Sequence, residues 1–401
     1  MDAESLREEI KTELDGNLLP FWRRRTLDAD HGGFIAEMAN DGTLRTDAAK
    51  GLILNSRILW TFSTLFSERR DRQDLALARR AYDYLEAQLR DRKNGGYLWL
   101  VDTDGQPFDG TKKIYGQAFV IYALSAFALA AGETEATNSA EELFALIEDH
   151  AHDDAHGGYI EARAEDWAAT SSLRLSAKDM AAAKSMNTHL HVLEAYTGLY
   201  RVWPNERVAT RLRELIGLFD RKILDPDKRH LRHFFDEQWT VLSESYTYGH
   251  DIEAAWLLCE AANVLGDMEV SRTVQGWAVE IAQAALAEAI DDDGGLAYEG
   301  RDGAVIDANR EWWCQAEAVV GFWTVYELTG DASFARAAEG VWDFILRRVI
   351  DRTGGEWFWR VFPDGSVDRQ EPKVSEWKGP YHNVRMCLEM MRRLTAVGGG
   401  K

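Results

Sequence analysis

The sequence has few cysteines, few prolines and a deficit of positive charge. Its three cysteines are widely spaced among 401 residues, so we expect no disulfide framework and a reducing, cytoplasmic location. Only seven prolines occur, and no low-complexity linker divides the chain. The formal net charge of −21 repels phosphate backbones, which argues against a nucleic-acid partner.

Long hydrophobic runs and nucleotide-binding motifs are also missing. The first residues, MDAESLREEI, lack the basic and apolar regions of a conventional signal peptide. The longest apolar stretch, residues 118–131, is shorter than a membrane span requires and contains Tyr122 and Ser125. The sequence has neither a Gly-x-Gly-x-x-Gly nor a P-loop motif. We therefore expect no membrane partner and no cofactor.

A Gly-Gly pair recurs along the chain at intervals of about 60 residues. The pairs begin at Gly32, Gly95, Gly157, Gly294 and Gly354. The third interval is roughly twice as long as the others, so we expect a degenerate turn within residues 225–232, where the sequence reads DPDK. Six units then account for almost the whole chain.

Each unit contains two segments whose apolar residues recur with the helical period. Short alternating stretches after the Gly-Gly pairs predict β-hairpins. The pattern predicts an all-α fold, an (α/α)6 barrel of six inner and six outer helices, in one domain over residues 1–396 with a flexible tail at 397–401. An open helical solenoid is the alternative. The predicted helices are 3–25, 47–68, 72–91, 113–131, 134–151, 183–203, 205–223, 249–266, 269–290, 309–329, 332–350 and 380–396.

Three histidines on predicted inner helices are the first candidates for chemistry, because inward polar groups are costly unless paired or used. His191 shares a helix face with Asn187 at i and i+4. His250 precedes Glu253 by three residues, and that carboxylate could fix its tautomer and raise its pKa. His382 follows a proline at the start of the last helix, where the helix dipole favours a neutral imidazole.

Other candidates lie at the starts of the same helices. Arg57 interrupts an apolar inner helix and could stabilise an oxyanion. Trp313 could stack on a sugar ring and lies one turn from Glu317. Tyr115, a polar-tipped aromatic, begins another inner helix.

The remaining histidines favour no metal site. His-x-His at positions 189 and 191 is poor spacing for one ion on a helix, and no cysteine lies nearby. The His150, His152 and His156 cluster is predicted to be a solvated turn. His230 and His233 fall in the degenerate repeat and are expected to face solvent or a loop.

Two classes of chemistry compete for these residues. A glycosidase needs two carboxylates flanking the scissile bond, which Glu194, Glu253 and Glu317 could supply. Two histidines with an arginine opposite favour removal and return of a proton beside a carbonyl, through an enediolate.

Several long strings make the sequence similar to the N-acylglucosamine 2-epimerase family over essentially the full chain. The strings are KGLILNSRILW from Lys50, KSMNTHLH from Lys184, YGHDIEA from Tyr248, EWW from Glu311 and WKGPYHN from Trp377.

The resemblance implies an (α/α)6 enzyme that inverts C2 of the reducing-end sugar of a β-1,4 disaccharide. It implies that His250 and His382 are the acid/base pair, that His191 assists ring opening, and that Arg57 stabilises the enediolate. The implied or candidate sugar-binding residues are Tyr115, Asn187, Glu253, Trp256, Trp313, Glu317 and Trp377.

The same resemblance leaves alternatives open. A monosaccharide 2-epimerase or an aldose–ketose isomerase of the family would use the same enediolate. Cys314 and Gly379 depart from residues often found in relatives and put the fine substrate preference in question. The expected partner is a small-molecule sugar, and the expected assembly is a monomer or a weak homodimer.

Overall fold

The structure, a computed structural model, describes residues 3–227 and 229–398, most of them in helices. Single π-helical turns follow α1, α4, α8 and α12, at Leu14–Leu18, Leu85–Leu89, Phe219–Ile223 and Ile345–Val349. The helices are α1 (Ala3–Glu13), α2 (Leu19–Arg24), α3 (Leu52–Arg69), α4 (Arg72–Tyr84), α5 (Ile114–Ala131), α6 (Thr134–His150), α7 (Met186–Val202), α8 (Glu206–Leu218), α9 (Tyr248–Leu265), α10 (Met268–Glu288), α11 (Trp312–Thr329), α12 (Ala332–Phe344) and α13 (Tyr381–Gly398).

The odd-numbered helices from α3 to α13 form a closed ring. Each packs against the next in order, and α13 returns to contact α3, which excludes an open solenoid. Each ring helix carries an outer neighbour: α1 on α13, α4 on α3, α6 on α5, α8 on α7, α10 on α9 and α12 on α11. α5 is buried on nearly all faces, as its all-round apolar sequence predicts, whereas α4 buries one face.

One helix of the described residues, α5, is long and apolar enough to cross a membrane by length and composition. Residues 118–131 are only part of that helix. It lies within the ring between α3 and α7, and most of it is buried there.

Short antiparallel strands fix where the ring helices begin. A strand directly precedes each of α3, α5, α7, α9 and α11. It pairs with a strand that lies after the next outer helix. Ahead of α13, the single bridge Met38–Val374 makes the corresponding contact with the loop before α3. The strands are β1 (Lys50–Gly51), β2 (Leu100–Val101), β3 (Pro107–Asp109), β4 (Lys112–Lys113), β5 (Ala162–Arg163), β6 (Lys184–Ser185), β7 (Phe234–Phe235), β8 (Tyr246–Thr247), β9 (Glu299–Arg301), β10 (Ala304–Asp307), β11 (Arg310–Glu311) and β12 (Arg360–Val361).

These strands explain the main differences from the predicted helix bounds. The predicted starts at residues 47, 183 and 309 precede the observed starts, because those residues form the approach to β1, β6 and β11 or the strands themselves. The other bounds agree within a few residues. α13 continues to Gly398, and residues 399–401 of the predicted tail lie outside the described residues.

Each Gly-Gly turn is held by an aspartate that precedes it and a buried cation from the segment ahead of the next ring helix. At the second turn, Asp91 accepts the backbone N–H groups of Lys93 and Asn94, and Lys112 Nζ lies 2.7 Å from its other oxygen. Gly96 has φ +68°, which favours glycine, and a Cβ there would lie 2.7 Å from the Trp167 ring. The equivalent pairs are Asp28–Lys50, Asp153–Lys184, Asp291–Arg310 and Asp351–Lys373.

The degenerate turn predicted within 225–232 is confirmed. Asp225 N–H bonds to the His230 carbonyl, as Asp91 N–H bonds to Gly96. The bridge Leu224–Leu231 then occupies the place of the bridge Arg90–Tyr97.

We expect Lys112→Met to lower the free energy of unfolding by about 3–5 kcal/mol, because it leaves the buried Asp91 carboxylate without its cation. The matched control is Arg213→Met, which breaks the exposed pair with Glu206 and should cost less than about 1 kcal/mol. Chemical denaturation of both variants measures the difference. Equal losses would show that the turn does not depend on the pair.

Candidate active site

A cavity of about 750 Å³ opens at the N-terminal ends of the ring helices. Every ring helix contributes to its wall, and the loops before α11 and α13 form part of its rim. Nine of the residues predicted from the sequence line it: Arg57, Tyr115, Asn187, His191, His250, Glu253, Trp313, Trp377 and His382.

The helices aim these side chains inward through a repeated local arrangement. Gln117 bonds to both backbone groups of Tyr97, and Gln315 does the same for Leu296. His189 accepts the Tyr159 N–H at 2.9 Å in the equivalent place on α7. His189 is thereby bound to the loop behind the wall, whereas His191, two positions later on α7, lines the cavity.

His382 on α13 is oriented by a carboxylate from α11. Its Nδ1 lies 2.6 Å from Glu317 Oε1, so the carboxylate accepts the Nδ1 proton and leaves Nε2 for the cavity. Burial lowers the pKa of His382 well below that of a free imidazole, and the charges of Arg57 and Arg385 lower it further. The ring is therefore a neutral base at pH 7.

His250 on α9 has a different partner from the one predicted. Its Nδ1 lies 2.5 Å from Thr247 Oγ1, whereas Glu253 bonds to Arg385. The predicted increase in the pKa of His250 is wrong as well. Burial lowers this pKa well below the ordinary value.

Trp313 lies beside both of these histidines. Its ring centroid is 4.7 Å from that of His250 and 5.6 Å from that of His382. Gly249 permits this packing, because a Cβ there would lie 2.4 Å from Cys314 Sγ and 2.8 Å from the Trp313 ring. An apolar face is thus held next to two imidazoles from different helices.

His191, on α7, forms another part of the cavity wall. Its Nδ1 lies 2.8 Å from Glu194, and its ring packs edge-on against Tyr115 at 5.0 Å. Burial lowers the pKa of His191 even though Glu194 acts in the other direction.

Arg57 is a buried cation held by neutral groups. It donates to the Trp377 carbonyl and to the Tyr115 hydroxyl, each at 2.9 Å, and lies over the Phe119 ring. The ion pairs among the described residues include none of Arg57 with a carboxylate. Its charge is therefore available to an anion in the cavity.

Arg385, which lies beneath the histidines, was not among the residues predicted from the sequence. Its guanidinium bonds to Glu194, Glu253 and Glu317, one carboxylate from each of α7, α9 and α11. Arg57 was selected as a charged residue on a predicted inner helix. The same criterion predicts Arg385, because it lies in α13 three residues after His382.

Two predicted sugar-binding residues lie behind the wall rather than in it. Glu317 bonds to His382 and Arg385, and Trp256 donates its indole N–H to Glu317 at 3.0 Å. Neither lines the cavity. Both residues are placed to support His382 and are not placed to contact a sugar directly.

Ligand atoms of Glu253, Glu317 and His382 lie within 4.8 Å of one another, close enough to hold a metal ion. Arg385 already bonds to both carboxylates, and a metal ion would have to displace that guanidinium. The absence of a metal from the reaction stays a prediction.

His150 and His156 are exposed, as expected, whereas other histidines differ from expectation. His230 is buried, bonds to Asp251 at 2.8 Å and stacks on Tyr246, so it does not face solvent. His152 is bound between Asp154 and Glu214 rather than solvated. His233 lies next to His250, with ring centroids 5.8 Å apart.

Comparison with known proteins agrees with this fold. The family model for N-acylglucosamine 2-epimerase matches residues 33–385. The chain is 43% identical to a cellobiose 2-epimerase of Bacteroides fragilis, covering 97% of this chain and 99% of the relative. It superimposes on a cellobiose 2-epimerase structure from Bacillus thermoamylovorans with a TM-score of 0.92, at 38% identity and covering 97% and 100% of the two chains. A solved D-mannose isomerase shares the fold, with a TM-score of 0.83, 23% identity and 96% and 98% coverage.

A mostly helical barrel with this cavity and these relatives defines a carbohydrate epimerase, an isomerase whose substrate is a small sugar. The chain belongs to the N-acylglucosamine 2-epimerase family.

We expect Glu317→Gln to lower the free energy of unfolding by about 1.5–3 kcal/mol, because it weakens charge-assisted bonds to His382 and Arg385. Glu253→Gln should cost less, about 1 kcal/mol, since the hydrogen bonds of Glu253 among the described residues reach only Arg385, through one of its two oxygens. Urea denaturation at pH 7 compares the two. A larger loss in Glu253→Gln than in Glu317→Gln would contradict the greater contribution to stability expected of Glu317.

Proposed function

We propose that the protein inverts C2 of the reducing-end glucose of cellobiose and related β-1,4 disaccharides, giving 4-O-glucosyl-mannose. The observation that carries the proposal is the pair His250 and His382, which come from different helices and both pack against the Trp313 ring. Relatives named cellobiose 2-epimerase support the choice of substrate. The closed ring with its outer helices is, in this proposal, the (α/α)6 barrel expected from the sequence.

The proposed reaction begins with opening of the sugar ring, assisted by His191, whose imidazole is tied to Glu194. One of His250 and His382 then removes the C2 proton, and a cis-enediolate forms. The other histidine, in its imidazolium form, donates a proton to the opposite face of C2, and proton exchange with solvent through the open cavity then resets both rings. Burial lowers the pKa values of both rings, which favours the neutral ring that removes the C2 proton and makes the imidazolium a stronger acid toward C2.

Arg57 supplies the charge that the intermediate requires. An open-chain sugar is neutral, whereas the enediolate is an anion, so a buried guanidinium bound only to neutral acceptors stabilises the intermediate more than the substrate. Tyr115, Asn187, Trp313 and Trp377 complete the sugar-binding wall in this proposal.

A glycosidase fits the same cavity less well. Glu194, Glu253 and Glu317 all bond to Arg385, so no two of them are placed apart to flank a glycosidic bond. A cytoplasmic location, the absence of a cofactor, and a monomer or weak homodimer remain parts of the proposal.

Incubation with cellobiose in heavy water, followed by NMR, tests the proposed reaction. We expect deuterium at C2 together with a mannose-terminated disaccharide. His250→Ala and His382→Ala should each remove most of the exchange, whereas His156→Ala, on an exposed turn, should not.

The same assay with mannose separates the alternatives. Fructose from mannose with inert cellobiose would support an aldose–ketose isomerase, and released monosaccharide would support a glycosidase. Absence of exchange on any aldose would reject the proposal.

We expect Arg57→Met to lower kcat roughly 100- to 1,000-fold while changing KM much less, because the guanidinium acts mainly on the charged intermediate. Steady-state kinetics on cellobiose measures both constants. A rise in KM with unchanged kcat would assign Arg57 to sugar binding instead.

A further inference from the structure

A second cavity, of about 290 Å³, lies behind His250. It shares His250 and Asn187 with the main cavity and is also lined by Thr247 and His233. Thr247 and His233 have no role in the reaction proposed above. They form a line of polar groups that starts at the Nδ1 atom of His250.

Thr247 occupies the N-cap position of α9 but makes no capping hydrogen bond with its side chain. Ser185, in the same position before α7, accepts the N–H of Thr188 in the usual way. The Thr247 hydroxyl is instead 2.5 Å from His250 Nδ1 and 3.4 Å from His233 Nε2. The Thr247 side chain is therefore oriented toward two imidazoles and leaves the start of α9 without a side-chain cap.

The hydrogen bonds of His233 define its tautomer. Its Nε2 accepts the backbone N–H of Thr247 at 3.1 Å, so the proton of the neutral ring is on Nδ1. Burial lowers the pKa of His233 to about 4, which keeps the ring neutral at pH 7. Its Nε2 is thus an acceptor for the Thr247 hydroxyl and not a donor to it.

We propose that Thr247 and His233 are positioning residues that hold His250 in the Nδ1–H tautomer, with a bare Nε2 facing the sugar. The Nδ1–H donates to Thr247 Oγ1, and the Thr247 hydroxyl donates to His233 Nε2. This inference rests on the proposed role of His250 as an acid/base group.

The arrangement serves both directions of the reaction. The Nε2 lone pair takes the C2 proton while the C–H electron pair enters the enediolate, and the Thr247 oxygen stabilises the Nδ1–H of the resulting imidazolium. Return of the proton to carbon restores the starting tautomer. The Nδ1 proton stays on its acceptor, Thr247 Oγ1, throughout.

The tautomer can be read without turnover, from long-range ¹H–¹⁵N spectra of the full chain labelled with ¹⁵N-histidine. We expect Nδ1–H for His233 and His250 in the unmodified protein. Thr247→Val and His233→Leu should move the His250 proton to Nε2, whereas Thr247→Ser and His233→Gln, which keep a hydroxyl or an acceptor, should not. A proton on Nε2 of His250 in the unmodified protein, or no change in Thr247→Val, would overturn the proposal.

Kinetics distinguishes positioning from structural support. Thr247→Val should lower kcat for C2 exchange roughly 10- to 100-fold with KM changed less than about twofold, and Thr247→Ser should recover most of the rate. The control Thr329→Val removes a hydroxyl at the far end of α11 and should leave both constants unchanged. Equal losses in Thr247→Val and Thr247→Ser would assign Thr247 a structural role.

The two experiments test the proposed function and the tautomer independently of each other. If the unmodified protein exchanges C2 on no aldose, the proposed function is wrong, and the spectra still decide the tautomer. If exchange occurs and His250 keeps its tautomer in Thr247→Val, only the present inference is rejected.

Discussion

Arg385 is a buried cation whose guanidinium joins carboxylates from three neighbouring ring helices. Three acids so close together in a dry interior would repel one another and lose hydration, and the guanidinium offsets both costs. One of these acids, Glu317, also holds Nδ1 of His382, and another, Glu194, holds Nδ1 of His191. The orientation of two histidines therefore depends on the same cation that joins the helices.

The repeat made the fold predictable from the sequence. Gly-Gly turns need positive φ and are visible as glycine pairs in the sequence. The spacing of these pairs also predicts the degenerate turn at 225–232. Residues near the helix starts, such as Arg57 and His191, were predictable because a helix that is apolar elsewhere makes a polar residue conspicuous. The strands ahead of the ring helices were less evident, since two-residue strands carry almost no periodic signal.

The pairing of side chains across helices could not be predicted. Spacing within one helix suggested that Glu253 serves His250, but the phase of α9 turns Glu253 toward Arg385 on α13. Trp256 is predicted from the sequence to bind the sugar, yet its indole supports Glu317 instead of reaching the cavity. His233 comes from a loop whose path is set by the turn at 225–230, and no pattern in the sequence places that loop against α9. Such contacts depend on tertiary packing, which local periodicity does not encode.

The ring closes only when α13 reaches α3, and α13 is the last helix of the described chain. During synthesis, α7, α9 and α11 leave the ribosome before the helix that carries Arg385 and His382. Until then Glu194, Glu253 and Glu317 lack their common counter-ion, which disfavours compaction of these helices around their acidic faces. Synthesis of α13 is thus required for assembly of the candidate active site, and a nascent chain truncated before residue 381 contains neither a closed ring nor a complete site.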